Sequence, residues 1–411
     1  MRGFVEQITD PKLEELLQEP LAFYWGIDPT APSPHLGNYA GFMLLSHLAR
    51  AGHRPVIVIG GATALVGDPS GKDKERPILS REEVKANGAS IEKILRAILA
   101  RSAPQAEPIF VDNADWYQGM NILSFLRDVG KLFRLGPMLA KESVRARVNS
   151  EEGMSYTEFS YQLLQGYDFF HLAQDKKVSL QIGGSDQWGN ITAGCEFARK
   201  SQGIELYGLT SPLLTRSDGK KFGKSEQGAV WLSEDLCSPY QFYQYLLRVP
   251  DQDVIHLLKV LTFLDLEEIK ELEASMQNPH YEPNALQKRL AKEVTLIVHG
   301  EEGLDKAIKA TQAANSFDPE LLDAVIDELP HCEIPLSKVE GRLLVDIFVE
   351  SGFLPSKGEA KRLIKSQGAY INGEKILDEQ KTVAKEDILQ GNKLVLGSGK
   401  KKKFVVFLSE S

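Results

Sequence analysis

Leu21-Ala22-Phe23-Tyr24-Trp25 is an apolar run that gives way to Gly26-Ile27-Asp28-Pro29-Thr30-Ala31-Pro32-Ser33-Pro34-His35-Leu36-Gly37-Asn38. Five apolar residues rich in aromatics, followed by glycine and a cluster of prolines, read as a strand that ends in a loop. From about Gly37 to Ala51 the apolar residues Tyr39, Phe42, Met43, Leu45 and Ala49 recur at helical spacing. The pattern then repeats. Val56 to Ile59 reads as a second strand running into Gly60-Gly61, Ile109 to Val111 as a third, and Val178 to Ile182 as another, again running into paired glycines, Gly183-Gly184. Short apolar runs alternating with amphipathic stretches predict an α/β fold with a largely parallel sheet, and such sheets bind ligands at the carboxyl ends of their strands.

Beyond that sheet the pattern changes. From about Leu236 to Ala314 it is helical throughout, with Val254, Leu257, Leu258 and Leu261 on one segment and Leu286, Leu290, Val294 and Ile297 on another. Asn315 to Glu340 is less periodic and holds prolines and acids, so a hinge is expected there. A last region of about seventy residues carries helices near Leu343 to Ser351 and Lys357 to Gln367, then short strands around Tyr370, Leu394 and Phe404. The expected division is 1–235, 236–325, a linker at 326–340, and 341–411. A length of 411 residues fits two or three domains.

Composition sets the remaining bounds. Hydrophobic residues at 42% and charged residues at 26% are ordinary for a globular chain. The longest apolar runs, such as Phe404 to Leu408, are far shorter than the roughly 18 residues of a membrane helix. The N-terminus shows no secretory h-region, so a cytoplasmic protein with no membrane partner is expected. Cys195, Cys237 and Cys332 lack the spacing of a zinc site or redox pair and read as small core residues. The net charge of −9 is uneven: residues 341–411 hold 13 Lys or Arg against 9 Asp or Glu, which is +4, leaving −13 elsewhere. The tail alone suits phosphate contacts.

Two short motifs carry chemistry. A histidine and a threonine beside a helix N-terminus, as His35 and Thr30 are expected to be, can meet a triphosphate together with unpaired backbone N–H groups. His35-Leu36-Gly37-Asn38 resembles the "HIGH" signature of class I aminoacyl-tRNA synthetases, with Asn38 in place of its second histidine. Lys220-Lys221-Phe222-Gly223-Lys224-Ser225 resembles the "KMSKS" loop of the same class. Two lysines three apart on a glycine-containing loop can close over a departing pyrophosphate. The plainer readings are a helix cap for His35 and an exposed charged turn for the lysines.

Between these motifs lie Gly67-Asp68-Pro69-Ser70-Gly71-Lys72, Arg76, then Tyr161, Gln165 and Asp168, then Gln181 to Asn190. Together with Tyr24 they make almost the whole chain resemble the bacterial tyrosyl-tRNA synthetases, which implies a Rossmann-like nucleotide-binding catalytic domain, an all-helical anticodon-side domain and a small α+β RNA-binding domain. By that resemblance Tyr24 and Asp168 hold the phenolic hydroxyl of tyrosine, while Asp68, Tyr161 and Gln165 meet its amino group. Gln181 and Gln187 border its carboxylate and side chain. The same likeness assigns ATP to Gly26, Asp28, His35, Gly37, Asn38, Gly184, Asp186, Lys221, Phe222, Gly223, Lys224 and Ser225. Thr30, His35, Lys72, Arg76, Lys221 and Lys224 would act on the triphosphate. Magnesium would travel with ATP, with no dedicated protein metal site. Lack of an editing domain is also expected, because a site built for a hydroxyl rejects phenylalanine; tyrosyl-tRNA synthetase is itself the standard illustration, with discrimination of about 10⁵.

The C-terminal stretch Ser356 to Ile364 followed by Tyr370-Ile371-Asn372-Gly373 resembles the αL RNA-binding module, and Lys357, Lys361, Arg362 and Lys365 fall at helical spacing, suited to tRNA phosphates or simply to a solvated helix face. The stretch from about 116 to 175 corresponds in the family to the homodimer interface. Its apolar residues Ile122, Leu123, Phe125, Leu126, Val129, Leu132 and Phe133 suit either an interface or an internal core helix. Two rivals remain: the tryptophan enzyme of the same fold, disfavoured by Tyr24 and Asp168, and an idle paralogue that binds RNA, disfavoured by Asp68, Lys221 and Lys224.

Overall fold

The computed structural model describes residues 2–70, 79–225, 228–316, 329–399 and 402–409. The chain divides into two compact units, one made of Met1–Leu236 with Val249–Val298, the other of Cys237–Arg248 with His299–Ser411.

The first unit is built on a six-stranded sheet of β1 (Gln7–Ile8), β2 (Ala22–Ile27), β3 (Arg54–Ile59), β4 (Ile109–Asp112), β5 (Val178–Gly184) and β6 (Tyr207–Ser211). Their order across the sheet is β1-β6-β5-β2-β3-β4. Only β1 is antiparallel to its neighbour. The helices are α1 (Leu13–Leu16), α2 (Leu36–Arg50), α3 (Arg81–Ser102), the short α4 (Ala114–Tyr117), α5 (Ile122–Asp128), α6 (Leu135–Ala140) and α7 (Glu142–Val148), then α8 (Tyr156–Lys176) and α9 (Trp188–Gln202). A two-stranded ribbon, β7 (Lys224–Ser225) and β8 (Gly228–Ala229), follows.

From β2 the chain winds one way through β3 and β4 and the other way through β5 and β6. Pairing of β2 with β5 stops at Tyr24 opposite Gln181. By contrast β2 stays paired with β3 out to Ile27 opposite Ile59, and β5 with β6 out to Gly184 opposite Ser211. The two central strands therefore part at their carboxyl ends, and a crevice opens at the switch point, where open α/β sheets bind ligands.

The sheet is held by aromatic and β-branched residues that fit a pleated surface. Tyr24, Val56, Val58, Phe169, Phe170 and Phe197 form one buried cluster that ties β2 and β3 to α8 and α9. Each such side chain contributes about 1.5–3 kcal/mol by leaving water. Gly60 and Gly61 end β3 for a steric reason. A Cβ on Gly60 would lie 2.1 Å from Asp28 Oδ1, and one on Gly61 2.2 Å from Asp112 Oδ1, so carboxylates from both neighbouring strands reach the backbone only because these residues have no side chain.

The helical stretch is α10 (Pro239–Leu247), α11 (Asp251–Leu261), α12 (Leu266–Ser275) and α13 (Ala285–Ser316), the last interrupted at Gly300 with φ 75°. α11, α12 and the first part of α13 belong to the first compact unit; α10 and the rest of α13 belong to the second.

The second unit also contains β9 (His331–Pro335), α14 (Leu344–Glu350), α15 (Lys357–Lys365), β10 (Ala369–Ile371), β11 (Glu374–Lys375), β12 (Lys393–Ser398) and β13 (Lys402–Ser409). The sheet order is β11-β10-β12-β13-β9. β9 lies inside the stretch expected as a linker and pairs in parallel with β13. His-Cys-Glu-Ile-Pro offers too little alternation to be read as a strand. Asn372 and Gly373, with φ 49° and 89°, make the two-residue turn of the β10–β11 hairpin, the geometry that Asn-Gly prefers. Leu344, Ile347, Phe348, Ala360, Ile364 and Val406 share its core. The three cysteines are free and partly buried; Cys195 and Cys332 pack against the hydrophobic cores of their units, as expected of small core residues, whereas Cys237 belongs to neither of those cores. Among the described residues no helix is long and apolar enough to cross a membrane.

Candidate active site

The crevice is a cavity of about 600 Å³, within the range of small-molecule sites. Its floor is the ends of β2 and β5, and its sides are the α2 N-terminus, α8 and the loop that leads to β7. Tyr161, Gln165 and Asp168 recur at i, i+4 and i+7 along α8, so one helix face delivers all three to the cavity.

Asp168 is buried and its carboxylate collects three donors. Trp116 Nε1 donates to Oδ1 at 2.8 Å, Tyr117 Oη to the same oxygen at 2.9 Å, and Asn113 Nδ2 to Oδ2 at 3.0 Å. Burial pushes this carboxyl up to about 7, while the three donors hold it down. Tyr24 Oη and Gln181 Oε1, neighbours across β2 and β5, are buried in the same cavity with no hydrogen-bond partner among the described residues. Burial first, then the charge of Asp168, raise the Tyr24 phenol well above its ordinary range against the neighbouring Gln181 amide, which holds it down, so it stays protonated and able to donate.

A chain of hydrogen bonds runs away from Asp168. Asn113 Nδ2 also donates to Thr63 Oγ1 at 2.9 Å, and Thr63 Oγ1 donates to Asp28 Oδ1 at 2.7 Å. Tyr161 Oη donates to Asp28 Oδ2 at 2.9 Å. Asp68 accepts from Gln187 Nε2 at 2.8 Å and from the backbone N–H of Ser70 at 3.0 Å. Asn190 Nδ2 donates to Gln165 Oε1 at 3.0 Å and lies 3.3 Å from Asp68 Oδ1. Burial, followed by the charge of Asp68, raises the Asp186 carboxyl. Oxygen acceptors thus gather at one end of the cavity, where a cation would be stabilised.

His35 is the N-cap of α2. Its Nδ1 accepts from the N–H groups of Gly37 at 3.1 Å and Asn38 at 3.3 Å, while Asn38 Oδ1 accepts from His35 N at 3.0 Å. The cap and the cavity wall are therefore the same residue. With Nδ1 accepting, a neutral ring carries its proton on Nε2 and can offer it as a donor. Asn38 serves the reciprocal half of this capping box.

The lysine loop is held against that helix start. Val230 N donates to Gly223 O at 2.9 Å and Leu36 N to Val230 O at 2.8 Å. Gly223 has φ 84°, and a Cβ there would lie 2.6 Å from Gly37 N, so only glycine lets the two loops touch. Phe222 is buried, whereas Lys221 and Lys224 are exposed on the cavity rim.

Gly26, Asp28, Thr30, Gly37, Asn38, Gly184, Asp186 and Gln187 line the cavity with the residues above. Gly223 stands behind it, packed on α2. Lys72 and Arg76 lie outside the described residues, as does the side chain of Ser225. Asn113, Trp116, Tyr117 and Thr63 were missed in the sequence. The signal was present: Asn113 to Tyr117 directly follows β4, at the carboxyl edge where ligands bind.

In the second unit Lys357, Lys361, Arg362 and Lys365 are all exposed on α15, whose other face buries Ala360 and Ile364. Lys357 pairs with Asp346 at 2.8 Å and Lys365 with Glu379 at 3.4 Å. Exposed pairs of this kind are worth little and yield readily to a phosphate.

Comparison with known proteins gives the family. Residues 16–316 match the family model for tRNA synthetases class I (W and Y), and residues 320–406 match the tyrosine–tRNA ligase SYY-like C-terminal domain. The tyrosine–tRNA ligase of Protochlamydia amoebophila is 49% identical, covering 100% of this chain and 97% of that one. The chain belongs to the class I tyrosyl-tRNA synthetases. The chloroplastic/mitochondrial tyrosine–tRNA ligase of Arabidopsis thaliana is 50% identical over 99% of this chain and 82% of that one. Among solved structures, a C-terminally truncated mitochondrial tyrosyl-tRNA synthetase from Aspergillus nidulans superposes with a TM-score of 0.67 at 31% identity, covering 76% of this chain and 91% of that one. As a class I tyrosyl-tRNA synthetase the chain is a ligase that uses ATP.

Proposed function

We propose that the cavity binds tyrosine with its phenol between Tyr24 and Asp168 and its ammonium among Asp68, Tyr161 and Gln165. Asp168 accepts the phenolic proton and Tyr24 donates back to the phenolic oxygen. Gln181 and Gln187 border the side chain and carboxylate, and Asp186 with Gly184 takes the ribose of ATP. Gly26, Asp28, Gly37 and Asn38 complete the nucleotide side of the cavity. The tyrosine carboxylate attacks the α-phosphate in line, and the P–O bond to pyrophosphate breaks. A ribose hydroxyl at the tRNA 3′ end then attacks the adenylate and releases AMP. No protein nucleophile is needed; acceleration comes from positioning and charge.

His35 and Thr30, with Lys72, Arg76, Lys221 and Lys224, stabilise the charge that grows on the departing pyrophosphate. Magnesium enters with ATP and supplies further neutralisation there. Lys357, Lys361, Arg362 and Lys365 hold tRNA phosphates. We divide the chain functionally into catalysis at 1–235, a helical anticodon-side region at 236–325 and RNA binding in the C-terminal module. A homodimer forms through the 116–175 insertion, where Ile122, Leu123, Leu135 and Tyr156 are 65–73% exposed. Free thiols favour the reducing cytoplasm.

The observation that carries the reading is the pair formed by Tyr24 Oη, buried beside Gln181 and with no partner at full hydrogen-bond geometry among the described residues, and Asp168, a buried carboxylate with three donors and room for a fourth. The test is exchange of labelled pyrophosphate into ATP with tyrosine, phenylalanine and tryptophan in parallel. Exchange with tyrosine alone is expected. Equal exchange with phenylalanine would overturn the phenol assignment, and exchange with tryptophan would move the substrate to the larger ring.

A further inference from the structure

The two oxygens of Asp168 are not equivalent. A carboxylate offers about four lone-pair directions, two on each oxygen. Oδ1 receives both Trp116 Nε1 and Tyr117 Oη, and Oδ2 receives only Asn113 Nδ2. Oδ1 is full, and a single acceptor site remains, on Oδ2.

We propose that Tyr117 is a positioning and specificity-determining residue, whose hydroxyl saturates Asp168 Oδ1 and so leaves Oδ2 as the one acceptor for the substrate phenol. The proposal rests on the reading of Asp168 as that acceptor. Tyr117 is fixed for the task by its surroundings. Its ring meets Phe125 edge-on at 6.4 Å and lies tilted against Tyr167 at 5.9 Å. Its hydroxyl has a second acceptor in reach, Leu164 O at 2.8 Å. One proton serves two acceptors, and the anionic one wins because charge-assisted hydrogen bonds are roughly twice as strong. When Asp168 is neutral the hydroxyl turns to Leu164 O and is never stranded. Tyr117 thus favours the charged carboxylate specifically, the form that accepts from a phenol.

The pH dependence follows with a definite sign. The titratable and charged groups facing Asp168 are Tyr24 from β2 and Asp28 just after it, Tyr117 from α4 and Tyr161 and Tyr167 from α8, with His171 stacked on Trp116 at 4.6 Å. A donor to the charged form lowers an acid's pKa, so its removal raises it. The competent carboxylate then begins to be lost at higher pH.

In Tyr117→Phe the midpoint of the acid limb of kcat/KM for tyrosine should move up by on the order of one pH unit, with a KM about tenfold higher below that midpoint. The effect should fall in KM rather than kcat. Activation of phenylalanine, which has no hydroxyl to place, should keep its original pH profile, so discrimination narrows. Tyr117→Leu, which also drops the ring, should show the same shift beneath any loss of stability. A pH profile that does not move, or equal losses for tyrosine and phenylalanine, would reduce Tyr117 to a packing residue. Asp168→Asn separates the two readings: if it keeps tyrosine selectivity, the assignment of Asp168 itself is wrong. If it loses selectivity while Tyr117→Phe changes nothing, only the role of Tyr117 falls.

Discussion

At the scale of single residues, the site is a set of oxygens whose protons point in one direction. Thr63 shows this best. Its hydroxyl donates to Asp28 Oδ1 and therefore accepts from Asn113 Nδ2, and Asn113 Oδ1 accepts from Ala62 N at 2.7 Å. Those three bonds fix which way round the Asn113 amide lies, and so which of its atoms faces Asp168. Thr63→Val keeps the shape but removes one donor to Asp28 Oδ1 and leaves one N–H of the buried Asn113 amide without its acceptor. Leaving such a buried group unsatisfied costs about 1–3 kcal/mol, so kcat/KM for tyrosine should fall roughly tenfold to a hundredfold, with Thr63→Ser restoring most of it. An undiminished kcat/KM in the valine variant would mean that the chain through Thr63 does not position Asp168. This part of the site was not legible in the sequence. A threonine in a 3₁₀ turn announces nothing, and its role exists only because β3 and β4 end side by side. His35, Asp68 and Lys224 were legible, since motif spacing marks them before any packing is known.

Secondary-structure elements decide how firmly those residues are presented. α8 carries Tyr161, Gln165 and Asp168, and its first turn is anchored by a buried ion pair. Arg147 in α7 donates to both oxygens of Glu158, at 2.8 and 3.0 Å, with both side chains no more than 4% exposed. A carboxylate in the first turn of a helix also gains from the helix dipole. Removing one partner of a buried pair leaves the other uncompensated and costs about 3–5 kcal/mol, whereas replacing both by apolar residues is often neutral. Glu158→Gln should therefore lower the urea midpoint of the first compact unit and raise KM for tyrosine. The double change Arg147→Met with Glu158→Leu should recover most of the midpoint, and a double variant as unstable as the single one would refute the argument. Elements of this kind divide sharply in legibility. β2, β3, β5 and α2 were readable because their apolar periods are uninterrupted. The 116–175 insertion was half readable: Val129 is buried and Phe125 packs on the core, but Ile122, Leu123 and Leu126 of the same run face outward. Periodicity finds an apolar face without saying whether the chain itself covers it.

On the scale of the whole molecule, the question is which part of the chain each half-reaction needs. The cavity lies entirely in the first compact unit, while the excess positive charge lies in residues 341–411. A cut at residue 341 would leave β9 without β13, the only strand it pairs with among the described residues. The sounder boundary precedes Leu329, because Leu329, Val395 and Val405 pack together on Tyr240, Ala310 and Ala313. A chain ending at residue 328 exposes that small apolar patch and loses the whole C-terminal sheet. It should retain tyrosine-dependent pyrophosphate exchange within about twofold, since every residue lining the cavity remains, and a truncated relative of this fold has been crystallised. Charging of tRNA should fall at least a hundredfold, because most sequence-independent affinity for RNA comes from phosphate contacts. In the full chain the KM for tRNA should also rise steeply between 50 and 200 mM salt, as counterion release requires. The KM for tyrosine, set inside the cavity, should hardly change over that range. Full-rate charging by the truncated chain would place the RNA contacts before residue 329, a tRNA KM indifferent to salt would deny them phosphate character, and either would strip α15 of its assigned role.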